Sequence, residues 1–81
     1  MMLNVAVLGF DCAACRKAYR LIDEVAQELG IAIHLEKISD PARIAAHRVL
    51  SAPGVVVAGK LVHSGGAPSR KQIAIWLTVQ P

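Results

Sequence analysis

Cys12-Ala13-Ala14-Cys15 is the most informative segment of the sequence, because it lies directly between an apolar segment and a helical pattern. Residues 3–8 are almost all apolar and are followed by Gly9, which is typical of a strand buried on both faces at the centre of a sheet. Residues 12–29 then carry an apolar stripe at helical spacing, and Gly30 is a natural C-terminal cap. Two thiols one helical turn apart can close a disulfide reversibly. The sequence therefore predicts a reversible dithiol at the start of a helix.

The next two elements continue a strand–helix alternation. Residues 31–37 alternate between apolar and polar and predict a strand more exposed than the first. A strand, a helix and a second strand imply a right-handed parallel crossover. Asp40 and Pro41 then predict the N-cap and first position of a short helix that ends near Arg48 or Leu50.

The last part of the chain predicts a hairpin followed by a helix. Residues 54–58 form an apolar third strand, and Gly59-Lys60 fits a two-residue type II′ turn. Residues 61–63 should then return antiparallel as a fourth strand. After a loop over residues 64–68, Ser69 and Gln72 form a capping-box pattern that predicts a helix through Leu77.

Length and composition indicate one small globular domain over residues 1–81. The chain has 81 residues and is 54% hydrophobic, which predicts an aliphatic core that folds without a metal or other cofactor. No apolar run approaches the ~20 residues of a membrane span, and the first residues lack the basic segment of a signal peptide. We therefore expect a cytoplasmic protein with no membrane partner. Cytosolic disulfides are usually catalytic or sensing, which argues against a purely structural role for the two cysteines.

The net charge of +3 is unevenly distributed. Residues 1–40 carry four basic and six acidic side chains, whereas residues 41–81 carry five basic and no acidic ones. The basic residues are scattered and lack interleaved aromatic residues, so the pattern does not indicate nucleic-acid binding. It could attract an acidic partner protein or a small anionic thiol such as glutathione.

The whole order β-α-β-α-β-β-α, with a Cys-x-x-Cys at the first strand-to-helix junction, resembles the minimal thioredoxin fold. In particular, the chain is similar to small redox-active disulfide proteins of the thioredoxin and glutaredoxin superfamily. The motifs that carry this resemblance are Val5-x-Val7-Leu8-Gly9, Cys12-x-x-Cys15, Ser51-Ala52-Pro53, Val57-x-Gly59-Lys60 and Pro68-Ser69. The resemblance implies an α/β fold with a four-stranded mixed sheet and helices on both faces. It also implies a thiol–disulfide oxidoreductase that acts on disulfides of proteins or small thiols.

In this fold Cys12 lies at the amino end of a helix, where unpaired N–H groups and the helix dipole stabilise a thiolate. Cys12 is therefore the expected nucleophile, and Cys15, on the apolar stripe, is the expected resolving thiol. Asp11 disfavours the Cys12 thiolate, whereas Arg16 and Lys17 favour it. We expect a Cys12 pKa on the order of 7 to 8.

The resemblance also implies further site residues. Pro53 could simply start a strand, but the corresponding proline of thioredoxin-like proteins is cis, which places Ala52 and Pro53 against the cysteines as a substrate contact. Gly65-Gly66 is similar to the glutathione-binding glycine pair of glutaredoxins. Arg70 and Lys71 follow in a first helical turn, where positive charge opposes the helix dipole, so they could contact an anion or glutathione. The alternative for both is a solvated side chain that costs only tenths of a kcal/mol.

Two features depart from the family. Gly and Pro commonly surround the family's cysteines, whereas Asp11 and two alanines do so here. The buried acid that thioredoxins carry beneath the site corresponds to Ala6. The redox potential is therefore not transferable, and the family's aid to proton transfer is absent at its usual position.

Two other function classes compete with the redox hypothesis. The segment Gly9 to Cys15 is similar to the Gly-Met-x-Cys-x-x-Cys loop of copper chaperones, and two thiolates suffice to bind copper(I). However, Phe10 replaces the methionine, and that family's β-α-β-β-α-β order ends in a strand. His34, His47 and His63 lack metal-ligand spacing, which favours structural or surface roles. The third class is a non-catalytic interaction module on the same fold.

Overall fold

The computed structural model describes residues 2–78. Its elements are β1 (Leu3–Leu8), α1 (Ala13–Leu29), β2 (Ile33–Ile38), α2 (Pro41–Ala46), β3 (Gly54–Val57), β4 (Lys60–Ser64) and α3 (Arg70–Thr78). The predicted order of strands and helices is confirmed. Residues 1 and 79–81 of the predicted domain lie outside the described part of the chain. No helix within residues 2–78 is long and apolar enough to cross a membrane.

The four strands form one mixed sheet in the order β2-β1-β3-β4. β1 runs parallel to β2, with Val5 opposite Leu35, and antiparallel to β3, with Val5 opposite Val57. β3 and β4 form the predicted antiparallel hairpin. β1 thus has a strand on each side, which explains its nearly continuous apolar sequence.

Alternate residues of the central strands face two separate apolar clusters. Val5 and Val7 of β1 pack into the larger cluster, which includes Ile22 of α1 and Ile73 of α3. Ala6 and Leu8, which alternate with these valines along β1, pack into the smaller cluster with Ile38, Ile44 of α2 and Val56. Two helices therefore cover one face of the sheet, and the single short helix α2 covers the other.

The helix ends agree with their sequence signals. Gly30 caps α1 in a left-handed conformation with φ of 66°, and its N–H donates to Ala26 O and Gln27 O. At the start of α3, the Gln72 N–H donates to Ser69 Oγ over 3.1 Å, and the Ser69 N–H donates to Gln72 Oε1 over 3.0 Å. These two reciprocal bonds are the predicted capping box.

The hairpin turn lies one residue earlier than predicted. Ala58 and Gly59 form the turn, with φ of 53° and 82°, while Lys60 pairs with Val57 as the first residue of β4. Two consecutive positive φ values match a type I′ turn, whose twist suits an antiparallel hairpin better than the predicted type II′ assignment to Gly59-Lys60. The sequence correctly predicted that Gly59 lies in the turn, but it did not predict that Ala58 also adopts the left-handed conformation.

Candidate active site

Cys12 and Cys15 form a disulfide at the junction of β1 and α1, with their Cα atoms 5.0 Å apart. Cys12 is the N-cap of α1, and its Sγ accepts a hydrogen bond from the Cys15 N–H over 3.1 Å. Cys12 is exposed, whereas Cys15 is only 5% exposed because it lies on the buried stripe of the helix. One sulfur can therefore be reached from solvent while the other is shielded behind it.

The helix start also supplies the means to stabilise a thiolate at Cys12. A backbone N–H that donates to a sulfur favours the charged form, as does the positive end of a helix of 17 residues. The oxidised structure thus already has the donor aimed at the sulfur that the sequence assigned as nucleophile.

The charges beside Cys12 are paired with each other. Arg16 Nη1 donates to Asp11 O over 2.7 Å and lies 3.7 Å from Asp11 Oδ2. Asp11 has a positive φ of 56°, a conformation that Asp tolerates better than most residues. Because the opposing charges predicted for Asp11 and Arg16 largely offset each other, the exposed Lys17 is left as the favourable charge on this turn of α1.

Gly9 forms a close contact surface beneath Cys15. A Cβ at Gly9 would collide with Cys15 Sγ and lie 3.4 Å from Ala52 Cβ. The absence of a side chain at Gly9 therefore allows both the inner sulfur and Ala52 to approach the end of β1. The sequence around Gly9 predicts only the end of the first strand. No local pattern there indicates the contact with Cys15.

The Ala52–Pro53 peptide bond is cis, and this segment lies beside the disulfide through the approach of Ala52 to Gly9. Ala52 is exposed, whereas Pro53 is buried. The Gly65 N–H donates to Pro53 O over 3.0 Å, with Gly65 at φ of 89°. This bond holds Gly65 against the proline segment. Ser51 also lies close to Gly65, because a Cβ added at Gly65 would be 3.2 Å from Ser51 Oγ.

The structure brings the remaining predicted residues together only in part. Gly66 follows Gly65, and its carbonyl oxygen is 2.9 Å from His63 Nε2, so the loop is held to β4. Lys71 is exposed on α3. The contact of Gly65, Gly66 and Lys71 with an anion or glutathione stays a prediction.

Arg70 is bound to carboxylates of the protein itself. Its guanidinium pairs with Glu28 and lies 3.8 Å from Glu24 Oε1, both on α1. The hydrogen bond to Glu28, followed by the charges of Glu28 and Glu24, raises the pKa of Arg70 above its ordinary value. These ion pairs explain why a basic residue occurs in the first turn of α3. Arg70 and Glu28 are 42 residues apart in the sequence. An external anion would have to compete with these two carboxylates, and the contact of Arg70 with an anion or glutathione stays a prediction.

A cavity of about 270 Å³ opens beside the inner sulfur. It is lined by Val7, Gly9, Asp11, Cys15, Lys37 and Ser39. Lys37 Nζ lies 4.9 Å from the centroid of the Tyr19 ring, so its charge is held at the edge of α1. No local sequence pattern predicts this cavity, because its wall combines the ends of β1 and β2 with the first turn of α1.

Comparison with known proteins identifies the family. A family model described as a thioredoxin domain matches residues 3–78. The chain belongs to the thioredoxin domain family. It is 30% identical to a thioredoxin of Methanocaldococcus jannaschii over 73 residues, which cover 90% of this chain and 84% of that relative. Together with the Cys12–Cys15 disulfide, membership of the thioredoxin family supports function as a thiol–disulfide oxidoreductase.

Solved thioredoxin structures share the fold. Chloroplastic thioredoxin z aligns with a TM-score of 0.67 at 21% identity, covering 90% of this chain and 73% of that one. Thioredoxin-2 of the malaria parasite aligns with a TM-score of 0.68 at 16% identity, covering 90% of this chain and 78% of that one. The order of elements, in which a hairpin is followed by α3, differs from the copper-chaperone order considered above. Within residues 2–78 no three His, Cys, Asp or Glu side chains are grouped so that they could hold a metal ion.

Proposed function

We propose that this protein exchanges disulfides with partner proteins, with Cys12 as the nucleophile and Cys15 as the resolving thiol. The asymmetry of the two cysteines is the main support for this proposal. Cys12 is exposed and its Sγ accepts a hydrogen bond from the Cys15 N–H, whereas the Cys15 sulfur is shielded. Residues 1–81 act as one thioredoxin-like domain in this proposal, and the cytoplasm is the compartment in which a dithiol of this kind would be kept reduced.

The reaction has two steps in the reducing direction. The Cys12 thiolate attacks one sulfur of a substrate disulfide, so a mixed disulfide forms and the other substrate sulfur leaves as a thiolate. Cys15 then loses its proton and attacks Cys12 Sγ, which releases the second substrate sulfur and closes the Cys12–Cys15 disulfide. A reductase or dithiol donor must return two electrons and two protons to complete the cycle.

Exposed apolar residues near the site favour a polypeptide substrate over a small thiol alone. Phe10 precedes Cys12 by two residues and is 64% exposed, and Leu50 precedes Ala52 by two and is 95% exposed. Contiguous exposed apolar patches mark contact surfaces for partners, and Phe10 and Leu50 precede the two segments that meet at the disulfide. Ala52, exposed next to the buried Pro53, would offer its backbone groups to an extended substrate segment, as strand-like peptides bind elsewhere.

Activity measurements with two cysteine variants test the roles. Reduction of insulin by dithiothreitol should be accelerated by the wild-type protein and not by Cys12→Ser. Cys15→Ser should accumulate a stable mixed disulfide with the substrate, since the resolving thiol is missing. Trapping by Cys12→Ser through Cys15 would reverse the assignment, and no acceleration by the wild-type protein would favour the non-catalytic module.

A charged side chain at position 52 tests the substrate contact. Ala52→Glu should lower kcat/KM for insulin several-fold but leave the reaction of Cys12 with a small aromatic disulfide nearly unchanged. Ala32→Glu is the matched control, because Ala32 is also exposed and lies in the connection between α1 and β2. Equal behaviour of the two variants would contradict a substrate contact at Ala52.

A further inference from the structure

The shielded position of Cys15 raises the question of where its proton goes. Cys15 must lose a proton when it attacks the mixed disulfide, because the thiolate is the reacting form. Its side chain is 5% exposed, and no polar or charged residue within residues 2–78 is buried beside it or elsewhere. Ala6, at the position of the family's buried acid, belongs to the apolar cluster on the α2 side of the sheet. The protein therefore needs another proton acceptor.

We propose that Asp11 accepts the proton of Cys15 through water in the cavity beside the inner sulfur. This inference rests on the proposed function, since it concerns the second step of the same reaction. Asp11 and Cys15 line the same cavity, whose volume of about 270 Å³ leaves room for several water molecules. A carboxylate on the wall of a hydrated cavity can act on a buried thiol without direct contact.

The other polar residues of the cavity are poorer acceptors. Lys37 is an ammonium, which has donors but no acceptor, and it is held over Tyr19. Ser39 can relay a proton through its hydroxyl but cannot retain one near neutral pH. Asp11 is the lining residue with a carboxylate; the charged side chains placed near it are Lys37, which lines the same cavity, and Arg16, which pairs with it.

Arg16 positions Asp11 mainly through the Asp11 main chain and leaves the carboxylate able to accept other hydrogen bonds. The short contact, 2.7 Å, joins Arg16 Nη1 to the main-chain oxygen of Asp11, whereas Asp11 Oδ2 is 3.7 Å away. The main-chain contact therefore fixes the left-handed turn at Asp11, with φ of 56°, while the carboxylate keeps capacity to accept further hydrogen bonds.

The second step transfers one proton and exchanges one disulfide bond for another. A water molecule takes the proton of Cys15 as it passes its own proton to the Asp11 carboxylate. The new bond joins Cys15 Sγ to Cys12 Sγ, and the bond from Cys12 Sγ to the substrate sulfur breaks, with the electron pair leaving on the substrate thiolate. Asp11 afterwards loses the proton to that thiolate or to solvent.

Rapid mixing of the reduced protein with a chromogenic aromatic disulfide separates the two steps. Attack by Cys12 releases the first chromogenic thiolate, and attack by Cys15 on the resulting mixed disulfide releases the second. For Asp11→Asn we expect the second release to slow about tenfold at pH 6 to 7, which is below the roughly hundredfold or larger effect typical of general bases because water competes as acceptor. The difference should shrink as the pH rises, because hydroxide can then take the proton of Cys15 without Asp11.

The two possible roles of Asp11 predict opposite changes in the rate of the second thiolate release in Asp11→Asn. If Asp11 acted only as a negative charge, Asp11→Asn would stabilise both thiolates and accelerate both releases at low pH. A slower second release with a first release that is unchanged or faster supports the proton acceptor. Acceleration of both releases, or no change in the second, would overturn the inference.

Two further variants control the experiment. Asp23→Asn removes an exposed carboxylate of α1 that accepts from Gln27 and does not line the cavity, so both releases should be unchanged. Asp11→Glu keeps a carboxylate and should recover most of the second release, which a merely structural defect would not allow. If the wild-type protein releases no first thiolate, the proposed function fails, and this inference fails with it.

Discussion

Replacing Gly9 with alanine should make the disulfide easier to reduce. The new Cβ would collide with Cys15 Sγ and would also lie 3.4 Å from Ala52 Cβ. In the oxidised protein the Cys15 sulfur cannot turn away, since it is bonded to Cys12. In the reduced protein the same side chain can move to another staggered rotamer. The steric cost therefore falls mainly on the oxidised state.

The size of the effect follows from the cost of overpacking. An extra methyl group in a close-packed site typically costs about 1 to 3 kcal/mol. For a two-electron couple about 30 mV corresponds to 1.4 kcal/mol, so the midpoint potential should rise by about 20 to 60 mV if the reduced state escapes the collision. Thermal unfolding should show the same asymmetry, with the melting temperature lowered more in the oxidised than in the reduced protein.

Equilibration in dithiothreitol redox buffers, followed by alkylation and mass spectrometry, measures this potential. Gly30→Ala is the matched control: Gly30 has φ of 66° and no atom within 4 Å of its added Cβ, so the cost arises from the left-handed backbone in both redox states. Gly30 also lies at the opposite end of the 17-residue α1 from the cysteines. A Gly9→Ala potential equal to that of the wild type, or lower, would refute the proposed contact between Gly9 and the inner sulfur.

Three further substitutions test the scaffold, each by chemical denaturation. Ile22→Ala should lower the free energy of unfolding by about 2 to 5 kcal/mol, because Ile22 is fully buried between α1 and the sheet; a loss below 1 kcal/mol would contradict that packing. Ser69→Ala should cost about 1 kcal/mol by removing the N-cap of α3, and Ser69→Asp, which restores a cap acceptor, should recover most of it. Ala58→Gly should stabilise the protein by up to about 1 kcal/mol, because Ala58 has φ of 53° in the hairpin turn; destabilisation would contradict the type I′ assignment.

Local signals predicted the elements well, because each depends on residues close in sequence. The buried strand β1, the Gly30 cap and the capping box of Ser69 all follow from spacing and turn chemistry, and the structure has them where the sequence placed them. The one-residue error in the hairpin has a different cause: its turn is fixed by the pairing of Val57 with Lys60 across the strands, which the local pattern does not show.

Contacts between distant segments could not be predicted in the same way. The sequence indicated Cys12 and Cys15 because their chemistry and spacing are local. The pairing of Arg70 with Glu28 on α1 and the approach of Gly9 to Cys15 depend on how α1 packs in the folded chain. The resemblance to a family supplied Ala52 and Pro53, but it could not supply Asp11 in the cavity, since the family's acid lies elsewhere.

The rate at which each reduced cysteine reacts with iodoacetamide distinguishes the attacking thiol from the shielded one. In the proposed reaction Cys12, which is exposed at the helix start, attacks the substrate, and Cys15 is shielded. Brief alkylation near pH 7, followed by peptide mass spectrometry, should therefore find the first label on Cys12 at least tenfold more often than on Cys15. Equal labelling of the two thiols, or earlier labelling of Cys15, would contradict these roles.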